Sequence, residues 1–180
     1  MSDTSDKKSP IQALFQGWTD ETLAFLVLRV WLAIRAFVTG LEKWGGEAVK
    51  KVQKLDEFGL PSAEGAVDTK VKVYGFAHYH GIPEGLANSF QNQPLLPPFL
   101  MKPYDIVLGP ALIILGLMLL LGIGTRISLF LQGLLYCSLT FGLILIKQDG
   151  GVAWLAAHMI LIAYALTLAK HNKLAVMSKF

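Results

Sequence analysis

Two neighbouring windows of twenty residues, Ile106–Thr125 and Ile127–Ile146, contain no charged side chain. A membrane core about 30 Å thick is crossed by roughly 20 mostly apolar residues rising about 1.5 Å each. A third window, Gly151–Ala169, has only His158 as an ionisable group, and a fourth, Thr22–Leu41, is apolar apart from Arg29 and Arg35. Soluble amphipathic helices keep a polar face, and the three later windows have none. The expected fold is therefore all-α: an integral membrane four-helix bundle in contact with the lipid bilayer. Its spans are expected at 21–44, 104–122, 126–147 and 152–170.

Composition agrees. Of the 180 residues, 53% are hydrophobic and 16% charged, against about a quarter charged in a soluble domain. Ten Phe, five Tyr and four Trp argue against a disordered chain. A single cysteine, Cys137, excludes an intramolecular disulfide, a Cys-x-x-Cys pair and a multi-cysteine metal site. The net charge of +3 and pI near 9.0 come from scattered basic residues, which does not suit nucleic acid.

Between the spans, Gly122–Thr125 and Lys147–Gly151 read as tight turns, so spans two to four run antiparallel. Trp18, Trp44, Tyr104 and Trp154 fall near span ends, where amphipathic rings favour headgroups. The segment 1–20 is expected to be polar and then interfacial (Ile11–Trp18), without a cleavable signal. The tail is 171–180. The extramembrane loop 45–103 is too long to be a mere connection. Within it, Val49, Val52, Leu55 and Phe58 recur about every three residues, so Ala48–Phe58 is expected to be an amphipathic helix on the membrane. A short helix is expected over Pro83–Asn92, followed by extended chain through Pro94–Pro98. Basic residues near the span ends do not decide orientation.

The two arginines of the first span stand out, because a central arginine costs about 2.5–3.5 kcal/mol on insertion scales. At about 100° per residue, Arg29, Ala33, Ala36, Gly40 and Lys43 share one face lined by small residues, which suits close helix packing. Arg35, Thr39 and Glu42 share another. Hairpin topology puts Arg35, Thr39, Glu42, Asp105, Thr140 and His158 in the loop-side half of the membrane, and Arg29, Gln132 and Tyr164 in the opposite half. One alternative is purely structural: Arg35 neutralised by Glu42 or Asp105, Arg29 by backbone carbonyls or Gln132 or by snorkelling, and His158 as a satisfied bundle histidine. The other is functional: Arg35 and His158 donating hydrogen bonds to a quinone carbonyl and passing it protons. His78-Tyr79-His80 with Glu84 is the one metal-like cluster. No metal site is expected there.

The first span, Arg29-Val-Trp-Leu-Ala-Ile-Arg35-Ala-Phe-Val-Thr39-Gly40-Leu-Glu42-Lys43-Trp44, resembles the first-span pattern of the DoxX-like family, an arginine followed at fixed spacing by His-Gly-x-x-Lys. Arg29, Gly40 and Lys43 match; Thr39 stands at the histidine position and Arg35 where an apolar residue is usual. Leu115-Gly116 through Leu121-Gly122-Ile-Gly-Thr125-Arg126 resembles the family's second span and its Leu-Gly-x-x-Thr-Arg turn. The resemblance implies an integral protein of a prokaryotic cytoplasmic membrane with cytoplasmic termini and the long loop outside. It also implies association with membrane or periplasmic protein subunits and proximity to quinone, as in the similar small subunit of thiosulfate:quinone oxidoreductase.

The expected function is a subunit or anchor of a quinone-linked redox complex, with no catalytic residue assigned and no intrinsic cofactor beyond a bound quinone. Its expected pocket is Arg35, Thr39, Glu42, Asp105 and His158, with Arg29, Lys43, Gln132 and Tyr164 as structural polar groups. Two rivals are a scaffold docking a partner through the loop and a small-solute transporter, the latter opposed by the apolar wall Leu115–Leu121.

Overall fold

The computed structural model describes residues 17–55, 61–91 and 93–176. Four of its helices are long and apolar enough to cross a membrane, and the protein is accordingly a membrane protein. Helix α1 spans Asp20–Glu42, strands β1 and β2 span Gly45–Leu55 and Pro61–Tyr74, and α2 spans Glu84–Gln91. Helices α3, α4 and α5 follow at Pro98–Leu121, Thr125–Leu145 and Asp149–Leu168. One-turn 3₁₀ segments lie at Phe76–His78 and Ala169–His171.

The small-residue face of α1 is the buried one: Arg29, Leu32, Ala33, Ala36 and Gly40 all point inward. It meets α3 at backbone distance. A Cβ on Gly116 would stand 2.7 Å from the Phe37 nitrogen and 2.9 Å from the Ala33 carbonyl oxygen. Small residues allow this approach, which is how helices associate where lipid removes the hydrophobic incentive. The core is completed by Phe25, Leu32, Leu108, Leu112, Leu119, Leu129 and Ile162. The outward faces of the long helices are apolar, with Val27, Ile106, Phe130 and Ile160 all exposed, as expected of sides that meet lipid.

The turn between α3 and α4 is tight. Gly122 adopts φ 73°, the left-handed conformation that ends helices. Its N–H returns to Met118 and Leu119 carbonyls. Helix α3 starts at Pro98, one turn and a half before the expected position, since a proline in the first helical turn has no N–H to satisfy.

The loop corrects two expectations. Residues 45–55 form β1, not the amphipathic helix expected over Ala48–Phe58, and the fold is a helical bundle with a small two-stranded sheet rather than all-α. The three-residue recurrence of Val49 and Val52 imitated a helix. The strand it pairs with shows the stronger signal: Val67, Thr69, Val71 and Val73 alternate with Asp68, Lys70 and Lys72, a period of two rich in β-branched residues. The pairing is antiparallel, from Gly45 opposite Tyr74 to Val52 opposite Val67. Helix α2 matches the short helix expected after Pro83. The interfacial segment expected at Ile11–Trp18 lies almost wholly outside the described residues, as does Phe58.

Candidate functional site

Polar side chains gather at three levels of the bundle. On the loop side, the hairpin base is fastened to α1 and α3. The Gly75 N–H donates to the Trp44 carbonyl (3.0 Å) and the His80 N–H to the Lys43 carbonyl (2.8 Å). Trp44 and Tyr79 pack ring on ring, centroids 4.8 Å apart, over Gly109, where a Cβ would come within 3.0 Å of both.

Tyr79 is there for a backbone reason. Pro110 lies inside α3 and has no N–H, so the Ile106 carbonyl one turn earlier loses its helical donor. The Tyr79 hydroxyl sits 2.9 Å from that oxygen and 2.6 Å from the Asp105 carbonyl, and accepts from the Gly109 N–H at 3.2 Å. Burial pushes the Tyr79 phenol up from its ordinary pKa, which keeps the donating proton in place. Asp105 meanwhile accepts from the Ile82 N–H through Oδ1 at 2.6 Å. Gly81 packs so closely on the Asp105 carbonyl that no side chain fits. Burial also lowers the Lys43 pKa, with the Asp105 carboxylate acting against it.

Above this fastening, the hairpin carries ion pairs. Lys70 donates to Glu47 at 2.9 Å, which raises the lysine pKa and lowers that of the glutamate. Lys72 and Tyr74 both donate to Glu42. A groove of about 660 Å³ opens at the hairpin base, lined in part by Glu47, Lys70, His78 and His80. The His80 Nδ1 lies 2.9 Å from the His78 carbonyl oxygen. Among the described residues, no three His, Cys, Asp or Glu side chains are placed to hold a metal ion.

The middle level is buried. Gln132 donates from Nε2 to the Leu32 carbonyl (3.3 Å) and to the Tyr136 hydroxyl (3.1 Å). His158 is 4% exposed and meets Tyr136 edge-on, centroids 5.9 Å apart. Its Nδ1 lies 2.7 Å from the Trp154 carbonyl. A carbonyl only accepts, so Nδ1 carries a proton, and in the neutral ring Nε2 presents a lone pair. That Nε2 and the Gln132 Oε1 are both buried without a partner. The unmet need at this level is thus for a donor.

At the opposite end Arg29, 5% exposed, is held with no carboxylate partner among the described residues. Its Nη1 donates to Asn172 Oδ1 (2.7 Å) and the Leu174 carbonyl (2.8 Å), and its Nη2 to the Leu120 carbonyl (3.4 Å). Asn172 in turn donates to the Thr125 hydroxyl at 2.8 Å. The tail continues past Gly122, with the Val176 N–H reaching the Leu121 carbonyl at 3.4 Å.

The five residues expected as one pocket are therefore distributed. Glu42 serves the hairpin, Asp105 holds the chain at Ile82, and His158 belongs to the buried middle level. Thr39 is half-buried and Arg35 exposed. Arg35 has an electrostatic neighbour in Tyr136 but no hydrogen bond or ion pair among the described residues. Of the structural polar group, Arg29 is met by backbone carbonyls, one of the expected partners. Gln132 goes to Tyr136 and the Leu32 carbonyl instead, Lys43 gives its carbonyl to the His80 N–H, and Tyr164 faces outward; Thr140, expected on the loop side, donates to the Tyr136 carbonyl (2.7 Å). Tyr136 and Asn172 are not singled out by the sequence, which marks Thr125 only as part of the turn motif and Tyr79 only as part of the His78–His80 cluster. Pro110 announces an orphaned carbonyl at Ile106, but nothing in residue spacing says that Tyr79 fills it.

Tyr79→Phe removes the hydroxyl that serves Ile106 and Gly109, and is expected to cost about 1–3 kcal/mol in reversible unfolding in mixed detergent micelles. In a Pro110→Ala background the Ile106 carbonyl regains a helical donor, so the same substitution should cost clearly less. Equal costs in the two backgrounds would refute the backbone role.

Comparison with protein-family models, with curated proteins and with solved structures yields no match to this chain.

Proposed function

We propose that this chain is a DoxX-like membrane subunit that anchors a quinone-linked redox complex and docks its partner through the hairpin, without being catalytic by itself. It sits in a prokaryotic cytoplasmic membrane with its termini cytoplasmic and the hairpin outside. The single observation that carries the docking is the hairpin. Its two strands pair with each other and with no third strand among the described residues, and a lone two-stranded hairpin is marginally stable in water. Val52 and Val67 face each other across it, both nearly half exposed, and Phe76 at its foot is 93% exposed. Open strand edges beside an apolar face suit the addition of a partner strand. The redox assignment is supported by the family pattern at Arg29, Gly40, Lys43 and Leu121–Arg126.

The test is purification from the native membrane in mild detergent with quantitative mass spectrometry of what stays bound. A stoichiometric oxidoreductase partner is expected with the wild type. With Val52→Asp and Val67→Asp together it should be lost, while the thermal unfolding of the bundle is unchanged. A partner-free wild-type bundle, or a partner indifferent to both substitutions, would count against the proposal.

The quinone link is favoured by the unpartnered acceptors at mid-depth. The Gln132 Oε1 accepts, as does the His158 Nε2 in the neutral ring, so they suit the hydroxyl of a reduced quinol ring, and Tyr136 of α4, edge-on to His158, is placed to pack against it. Bound, such a ring would supply two-electron chemistry; the chain's own part is to hold it and to receive a proton at Nε2. Solvent extraction of the purified protein should yield bound quinol from wild type and markedly less from His158→Phe. Equal yields would remove His158 from this role.

A further inference from the structure

The two arginines of α1 meet opposite fates. Arg29 has three acceptors inside the chain. Arg35 is exposed on the outer side of the same helix, beside Trp31 and Ile34 (each 50% exposed) and Val38. These four residues fall within an arc of about 100°, so the guanidinium emerges from an apolar surface at the level of the hydrocarbon. Charges in membrane spans otherwise face the bundle interior or a water-filled cavity.

Snorkelling does not resolve this. Arg35 lies seven residues before Glu42, about 10 Å below the loop-side end of α1. The Cα–Cβ bonds of a helix tilt toward its N-terminus, so this side chain sets out toward the membrane centre, away from the nearer headgroups.

A second copy of the chain does not resolve it either. Of the acids in the four long helices, Asp20, Glu21, Glu42 and Asp149 lie at the helix ends, and Asp105, two turns into α3, already accepts from the Ile82 N–H. Glu42 is already engaged by Lys72 and Tyr74. Two copies side by side in the same orientation would set Arg35 level with Arg35.

We infer that the Trp31–Ile34–Arg35–Val38 face of α1 docks a transmembrane helix of a different subunit, one that carries a carboxylate near mid-depth. Arginine forms its strongest pairs with carboxylates, through two parallel hydrogen bonds, and the pair would lie beside Tyr136. The surface lies within the membrane, apart from the hairpin, so it stands or falls independently of the docking proposed there.

The test uses the full-length protein in phosphatidylcholine vesicles with a dye-labelled synthetic leucine–alanine transmembrane helix. The helix bears Asp, Asn or Leu at its centre, and association is followed by energy transfer. The Asp helix is expected to bind wild type about tenfold more tightly than the Leu helix, the scale of one good interhelical polar contact. Arg35→Leu should abolish that advantage and Arg35→Lys should retain most of it; Arg35→Gln, which keeps a polar side chain of similar stem, serves if the leucine variant fails to fold. Equal binding of the Asp and Leu helices, or an Asp preference that survives loss of the charge, would overturn the inference. Asn binding as tightly as Asp would overturn the carboxylate, and self-association of the protein that excludes all three helices would assign the face to a second copy.

Discussion

Hydrocarbon offers no water, so each charge and each backbone carbonyl released within a span must find its partner in protein. The guanidinium of Arg29 shows what this demands. Three acceptors converge on it from the end of α3 and from the chain after α5. The tail is thereby folded back over the α3–α4 turn, and Asn172 extends the contact to Thr125 at the start of α4. One buried charge thus joins three segments that are distant in sequence, α1, the α3–α4 turn and the tail, and it fixes how the bundle closes at the end opposite the hairpin.

The same rule operates at the other end through a missing hydrogen rather than a charge. Pro110 withdraws a donor from α3, and Tyr79 restores it from outside the helix. Because Tyr79 belongs to the loop, satisfying the helix backbone also fixes the foot of the hairpin, with Trp44 packed at a tilt beside it and Gly109 leaving room for both rings. The hairpin is thus held at its base while its strand edges and the Val52–Val67 face stay open. A firm base beneath an open edge is a suitable arrangement for a docking element.

How much of this was legible in the sequence depended on the range of the interaction. The spans were plain, because twenty uncharged apolar residues admit few other fates, and the small-residue face of α1 was plain from a period that local geometry dictates. The hairpin was misjudged because Val49 and Val52 satisfy a helical spacing on their own. Its decisive evidence was the alternation of Val67 to Val73, in the strand with which they pair. Asn172 and Tyr79 were illegible for a related reason: each meets a need created far away, by Arg29 and by Pro110, and spacing carries no record of that. The five-residue pocket expected on the loop side joins one face of α1 to Asp105 and His158 by depth, whereas rotation about each helix separates Arg35, facing out, from His158, facing in.

The central claim is that the chain crosses the membrane four times, with the Arg29-bound tail on one face and the hairpin on the other. Single cysteines placed by Lys173→Cys in the tail and Val67→Cys in the hairpin, each in a Cys137→Ser background, report this directly when labelled with a membrane-impermeant maleimide in sealed vesicles of known orientation. The account predicts that right-side-out vesicles label one position and inverted vesicles the other. Labelling of both positions from the same side would contradict it.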